Sequence, residues 1–391
     1  MQIHTTKENQ TLDAIADQYG VREELLRNIN EIPVGQPTEG EELLIILPTR
    51  DYKVQYGDTP ERISLRFDIP KGGLHLQNPW IANRKLNTGE TLTVKCSQVS
   101  GGMAAANGYF YKGCTNEKLN TALPYLTYVT FVSSVWNGKE IKKIFDDTKQ
   151  VKAVTEAGKT PLLRICIDGI NTKDLPRAKE IIEHTKSGEY KGIVLSTCNR
   201  ENSASDFTSF LVDLRKLMIG CDLILITEID EHSPGEFSEY ADGSMIYYPK
   251  YAFESPKDFD LAERKILSDF ALEKESAKAF IDLPSVAKAK GKYVDVCDAI
   301  LRARRQKYPI EHNNNTLLSH FRDGKQGDVV FCSLRYLKEI FDLISELDYM
   351  GVCFDIMRTP LSHLLMYSRI FKSSYGVTVR SREGCSRADE E

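Results

Sequence analysis

Tyr52-Lys-Val-Gln-Tyr-Gly-Asp-Thr59, followed by Ile63, Phe67, Leu74 and Asn78 and closing on Gly89-Glu-Thr-Leu92, repeats a pattern that already runs through Ile3-His-Thr-Thr-Lys-Glu-Asn-Gln-Thr11, Ile15, Tyr19, Leu25, Asn30 and Gly40-Glu-Glu-Leu43. Two copies at matched spacing put a small repeated unit ahead of everything else in the chain. In the second copy Tyr52 to Val54 alternates as a short strand. Gly57-Asp58-Thr59 makes a turn with a residue able to cap a helix, and Ile63 and Phe67 share one helical face. A second short helix is expected near Leu74 to Leu76, ended by Asn78-Pro79, because the residue before a proline is pushed out of the helical region. Leu92-Thr-Val94 returns as the partner strand. Each unit therefore reads strand, helix, helix, strand, about 45 residues around a core near the lower limit for independent folding.

These repeats closely resemble the LysM module, a binder of N-acetylglucosamine-containing polymers such as peptidoglycan and chitin, over residues 1–49 and 50–96. The resemblance implies a shallow groove between the loop after the first strand and the loop before the last. Carried onto the second copy, that groove comprises Gly57, Asp58, Thr59, Pro60, Asn78, Pro79, Trp80 and Ile81. The first copy departs from the pattern, with Asn9-Gln10 in place of Gly-Asp. Two weak repeats on one chain would gain from linkage, since the second engagement is intramolecular.

The 391 residues are 27% charged and 41% hydrophobic with a formal net charge of -5, an ordinary globular composition that gives no support to a nucleic-acid partner. The densest basic stretch, Arg302-Ala-Arg-Arg-Gln-Lys307, reads as a solvated helix face. Nine cysteines are scattered singly, which argues against a disulfide framework or a metal site and for a reducing compartment of synthesis. No cofactor motif stands out. The chain opens directly on the first repeat, without a charged leader and apolar core, and no run of about 18 apolar residues suggests a membrane span. A wall-polymer binder made without an export signal is expected where the polymer lies beside its site of synthesis, as around an endospore developing inside its mother cell.

From Gly108 onward strand-like apolar runs alternate with helical segments. Candidate strands begin at Gly108, Tyr128, Leu162, Gly192, Leu223, Ser244, Ala279 and Gly351. Helices are expected over 116–123, 147–157, 175–186, 205–217, 234–241, 258–275 and 334–347. Eight strands fit one closed (β/α)8 barrel, and no glycine-rich phosphate loop follows any strand, which counts against a doubly wound sheet. The domains are expected at 1–49, 50–96 and 97–375, with a mobile tail at 376–391.

The order of elements, Leu126-Thr-Tyr-Val-Thr-Phe131 and Val329-Val-Phe-Cys-Ser-Leu334 with Met350-Gly-Val-Cys-Phe354 resemble glycoside hydrolase family 18. The tandem modules ahead of that barrel resemble, more narrowly, the spore cortex-lytic N-acetylglucosaminidases. The resemblance implies a fourth strand carrying Asp-Gly-x-x-x-Asp-x-Glu, in which the Glu protonates the glycosidic oxygen and the Asp orients the substrate N-acetyl group that acts as nucleophile. Here those three positions are Lys191, Ser196 and Cys198, so none of the carboxylates is present. The family's Met-x-Tyr-Asp on the sixth strand reads Tyr247-Tyr248-Pro249-Lys250, and its eighth-strand Trp falls on Asp355. A thiol is a poor donor where a carboxylic acid with a pKa near working pH is needed.

The expectation is a peptidoglycan-binding protein of the spore cortex or coat with a catalytically degenerate barrel, and spore coat proteins as further partners. The alternative is an active N-acetylglucosaminidase with relocated acids, for which Asp168, Glu228 and Asp355 stand at strand ends. The competing reading of those three is helix caps and loop acids.

Overall fold

The computed structural model describes residues 1–69, 73–81, 84–97, 102–137, 139–167, 178–197, 204–230, 240–247, 259, 264–272, 276–325 and 327–373. Asp168, Cys198, Tyr248, the helix expected from Pro234 and the tail at 376–391 lie outside them.

Each repeat folds as its pattern requires. The first pairs strand Gln2–Thr5 antiparallel with Glu42–Ile45 around helices Leu12–Tyr19 and Glu23–Ile29. The second pairs Pro48–Lys53 with Thr91–Cys96 around helices Pro60–Arg66 and Gly73–Gln77 and the short turn Pro79–Ile81. One device is repeated in both: a buried asparagine at the end of the second helix clamps that helix to the returning strand. Asn30 Nδ2 donates to the carbonyls of Leu26 and Leu44 at 3.0 Å each, and its Oδ1 accepts from the Leu44 amide at 2.8 Å. Asn78 does the same with Leu74 at 2.9 Å, the Thr93 carbonyl at 2.8 Å and the Thr93 amide at 2.7 Å. Full use of a buried amide in this way satisfies backbone groups that the small core cannot shield otherwise.

The large domain is a closed barrel of eight parallel strands, Met103–Tyr111, Tyr128–Trp136, Thr160–Ile167, Gly192–Thr197, Ile224–Asp230, Gly243–Tyr247, Ala279–Asp282 and Gly351–Asp355. They neighbour one another in chain order, and the eighth closes onto the first with Gly351 opposite Ala105. A side chain at Gly351 would put its Cβ 1.8 Å from the Ala105 carbonyl oxygen, so the seam requires glycine. Alternation along the strands sorts the apolar residues. Ala105, Leu162, Val194, Ile226 and Phe280 fill the barrel interior, while their neighbours Ala106, Leu163, Ile193, Leu225 and Ile281 face the surrounding helices. Among the described residues no helix is long and apolar enough to cross a membrane.

The expected run from the seventh strand straight to helix Leu334–Glu346 is interrupted by a separate layer. Strands Val286–Ala289, Lys292–Asp295, Glu311–His312, Leu318–Asp323 and Gly327–Cys332 form an antiparallel five-stranded sheet. Helix Val296–Gln306 packs on it through Val296, Ala299 and Ala303 against Phe321, Val329 and Phe331. Asp295 caps that helix, accepting from the amides of Cys297 at 2.8 Å and Asp298 at 3.4 Å.

This inserted layer holds the first repeat. Arg304 was read as a solvated helix residue, but its side chain is only 13% exposed and its partner Glu41 only 3%. Arg304 Nε donates to both Glu41 oxygens at 2.9 and 3.1 Å, Nη2 to Glu41 Oε1 at 2.6 Å and to the Asn30 carbonyl at 2.9 Å, and Nη1 to the Glu31 carbonyl at 2.9 Å. Around it Ile310 N donates to Glu39 O, Thr38 Oγ1 to Tyr308 O, and Arg335 Nε pairs with Glu42 at 2.6 Å. Gly40, with a left-handed φ of +75°, lies so close that a Cβ there would meet the Ile310 carbonyl oxygen at 1.8 Å. Apolar contact completes the junction. Leu43 and Ile45 fill the module's own core, whereas Leu44 and Ile46, on the opposite face of the same strand, join the core of the barrel.

Arg304→Ala should therefore lower the stability of the full chain by about 3–5 kcal/mol, the cost of leaving a buried carboxylate without its partner. The double variant Arg304→Met with Glu41→Leu should restore much of the loss. Urea unfolding of the wild type and the two variants, with hydrogen exchange at residues 38–42, measures both.

Candidate functional site

Two regions carry the chemistry: the groove of the second repeat and the mouth of the barrel. In the groove, Gly57 adopts a left-handed φ of +82°, and its carbonyl accepts from Arg62 Nη1 at 3.0 Å. Asp58 closes the turn, with Oδ2 accepting from the Tyr52 hydroxyl at 2.6 Å and the Gln55 amide at 2.8 Å. Those bonds, the Tyr52 hydroxyl first, hold its carboxyl below the usual carboxylate range. Thr59 caps the following helix, accepting from the Arg62 amide at 3.3 Å, and Pro60 occupies the first helical turn, where a missing N–H costs nothing. On the other wall Arg84 grips Glu90 at 2.6 and 3.2 Å, and Glu90 accepts from the Asn87 amide at 2.6 Å.

The eight groove residues expected from the sequence thus divide. Gly57 and Thr59 are exposed on the loop, and Pro79 enters the short turn at the opposite side. Trp80 is half-buried beneath the Arg22 guanidinium, 4.3 Å from its ring centre. Asn78 and Ile81 are fully buried, one in the clamp and the other in the module core, so their side chains support the groove from below and offer it no surface. The residue the sequence reading passed over is Tyr56, 95% exposed at the tip of the same turn. The signal was present in the string, since an aromatic side chain directly before a Gly-Asp turn has no core to enter.

The first repeat keeps the turn that its sequence seemed to have lost. Asn9 takes the left-handed φ, +56°, which asparagine tolerates better than most residues. Gln10 Oε1 accepts from the Lys7 amide at 3.0 Å and lies 2.9 Å from His4 Nε2, matching what Asp58 does with Gln55 and Tyr52. What distinguishes this groove lies on its other wall. Thr38, Gly40 and Glu41 are buried against the inserted layer, and Gln36 Oε1 accepts from the Leu12 amide at 2.7 Å.

At the barrel mouth Ser196 is buried, and its hydroxyl accepts from Arg164 Nη2 at 2.7 Å. Arg164 Nε in turn donates to both oxygens of Glu228 at 2.8 Å. Strand register explains the trio, for Glu228 lies directly opposite Ser196, with Arg164 reaching across from the third strand. Asp355 accepts from the Tyr111 hydroxyl at 3.0 and 3.2 Å and from the amides of Met357 and Arg358, so it ties down the loop after the eighth strand. Lys191 lies elsewhere: its amide donates to the Pro161 carbonyl at the opposite, amino-terminal end of the fourth strand. The sequence reading also missed Asp282, at the end of the seventh strand. It lines the same cleft of about 390 Å³ as Tyr109, Arg164, Glu228 and Asp355, and burial, then the nearby Glu228, pushes its carboxyl well above the usual range.

One cysteine differs from expectation. Cys166, on the third strand, is disulfide-bonded to a partner outside the described residues. Cys96, Cys114, Cys221, Cys297, Cys332 and Cys353 are free thiols, of which Cys96, Cys332 and Cys353 are buried.

A carboxyl whose pKa is raised by folding binds a proton more tightly in the native state than in the unfolded chain. Its effect on stability is absent below the unfolded value, about 3.9, and becomes increasingly unfavourable as pH rises toward the folded one. Asp282→Asn should match the wild type near pH 4 and melt at progressively higher temperature than the wild type toward pH 7. Thermal melts across that range check the sign; a gap that closes with rising pH contradicts the assignment.

The LysM domain family model matches residues 4–45 and 52–95. No curated protein matches the chain by sequence. Among solved structures, the spore cortex-lytic enzyme SleL of Bacillus megaterium QM B1551 superposes with a TM-score of 0.72 at 18% identity, over 96% of this chain and 99% of that one. SleL of Bacillus cereus gives 0.70 at 16% over the same shares. A GH18 chitinase from Cycas revoluta in complex with (GlcNAc)3 gives 0.57 at 10%, over 68% of this chain and 99% of its own. The two LysM modules and the (β/α)8 barrel are thus the fold of this chain.

Proposed function

We propose that this protein binds an N-acetylglucosamine-containing glycan, the peptidoglycan of the endospore cortex, through the groove of its second LysM module, and that its barrel does not hydrolyse it by family 18 chemistry. The supporting observation is the trio at the mouth. Where the family places the orienting carboxylate, Ser196 is engaged by the guanidinium of Arg164, itself held by Glu228. Glycoside cleavage builds positive charge on the sugar ring, and a fixed cation beside that centre opposes it where the family's carboxylate would favour it. Cys198 stands in the acid's place in the sequence, and a thiol is a poor donor where a carboxylic acid with a pKa near working pH is needed. The likeness to SleL supports the cortex as the location, since those neighbours are spore cortex-lytic enzymes.

Binding is then carried by Tyr56 and the exposed backbone around Gly57, with the exposed Asn87 and Thr88 of the loop before the last strand beside them in the module. An exposed aromatic ring flanked by polar loop groups is a surface onto which a sugar face can stack.

A second reading keeps an enzyme. Asp282 is a buried carboxyl whose pKa is raised well above the usual range, by burial first, in the same cleft as Glu228, and a carboxyl shifted in this way is a candidate for acid–base catalysis. One experiment separates the two. Purified protein incubated with cortex peptidoglycan should sediment with it and release no reducing ends, and Tyr56→Ala should weaken sedimentation about tenfold, the loss of roughly 1.4 kcal/mol. Reducing ends released by the wild type and abolished in Asp282→Asn would establish the second reading and sink the first.

A further inference from the structure

We propose that the cleft between the second module and the amino-terminal base of the barrel is an oxyanion site, taking a phosphate or carboxylate group. It measures about 730 Å³ and lies away from both regions described above, as Ala104 and Thr127 in its lining mark the starts of the first two barrel strands. Three cations enter it from three elements: Arg50 on the strand Pro48–Lys53, Lys95 on Thr91–Cys96 and Arg369 at the end of helix Leu361–Ile370. Asp68 is the one acid among its described lining residues, in a chain whose net charge is -5.

The cations are arranged at a cost that no carboxylate among the described residues offsets. Arg50 and Lys95 are cross-strand partners in the module's sheet, and like charges directly opposite each other are destabilising. Among the described residues neither they nor Arg369 has a carboxylate partner. Arg66, in the same lining, differs, since its guanidinium is bonded to the Tyr52 hydroxyl at 2.6 Å and approaches Asp58 at 4.0 Å.

Two of the three are also held in place. The Arg50 guanidinium sits 5.0 Å over the Phe67 ring. With the Gln77 amide oriented to satisfy both its neighbours, its oxygen accepts from Arg369 Nη2 at 3.1 Å, yet Arg369 Nε is buried with no acceptor at all. A buried N–H without a partner beside two unpaired cations calls for an acceptor carrying negative charge, and a planar guanidinium matches the edge of a carboxylate or phosphate.

The test uses the full chain with inorganic phosphate against chloride at matched ionic strength, read by calorimetric titration and thermal melting. Phosphate stabilises proteins generally by exclusion from their surfaces, without saturating. The site predicts in addition a saturable rise in melting temperature with measurable heat, and at least a tenfold loss of affinity in Arg369→Gln. Lys95→Glu supplies the anion internally, so it should raise the melting temperature in chloride and abolish the saturable phosphate response. Wild type and both variants responding alike to phosphate would overturn the proposal. So would a Lys95→Glu protein that melts lower in chloride and still titrates. To separate free from polymer-borne anions, Arg369→Gln is compared on chitin oligomers and on peptidoglycan fragments bearing carboxylates. Selective loss for the carboxylated fragments assigns the site to the wall polymer, and equal retention of both assigns it to the free anion.

Discussion

The guanidinium of Arg304 closes on one carboxylate and two backbone carbonyls of the first module, and the architecture turns on that contact. A buried arginine is tolerated only when its donors are satisfied, and here the partners come from a separate part of the chain. The helix that presents Arg304 belongs to a layer inserted late in the barrel, and the carbonyls of Asn30 and Glu31 belong to the start of the chain. Removing the module would uncover the part of the barrel's core that Leu44 and Ile46 cover, together with an arginine already committed to a dry site. The first LysM unit is thus a packed part of the large domain, sandwiched with one strand face in its own core and the other in the barrel's.

That placement alters what two repeats mean. Linked binding units gain from each other only when both can engage the same polymer. In the first, the loop that should form the far wall of the groove is spent on Arg304, Tyr308 and Ile310, and Gln36 reaches across to the helix amide of Leu12. Its near wall is intact, down to Gln10 imitating Asp58, so the substitution visible in the sequence is not what sets it apart. The proposed glycan contact accordingly falls to the second module, where the corresponding loops stay exposed and Tyr56 projects from the turn.

The repeats and the barrel strands were legible because their signals are local: a turn, a cap, an apolar alternation within a few residues. The inserted sheet was not. Its strands are short, and its basic helix reads as surface until the partner acid, 263 residues away in the sequence, is brought beside it. The same limit applies at the candidate sites. Glu228 could be placed at a strand end, but not its clasp on Arg164 and Ser196, which depends on the register of three strands. Asp282 gave no sign of itself, because a single acid at the end of a short strand becomes unusual only through burial. Asn78 misled in the opposite direction. Its position next to the loop suggested ligand contact, and the clamp it forms with Thr93 is visible only once the returning strand lies against the helix.

The barrel mouth carries the remaining tension. It holds Arg164 and Arg358 against Glu228, Asp282 and Asp355 within one cleft, and nearly all of these groups are engaged. Arg164 is engaged by Glu228 and Ser196, and Asp355 by Tyr111 and the loop amides. Asp282 stands apart, because ionising it would place a third negative charge in a space with no free cation among the described residues, and burial, then the nearby Glu228, raises its carboxyl well above the usual range. The two arginines of the mouth, Glu228 and Asp355 thus each have an internal counterpart. An active glycosidase keeps its carboxylates available to the transition state. On the proposed reading, the internal pairing of Arg164 with Glu228 leaves the barrel to serve as a scaffold for the module it grips.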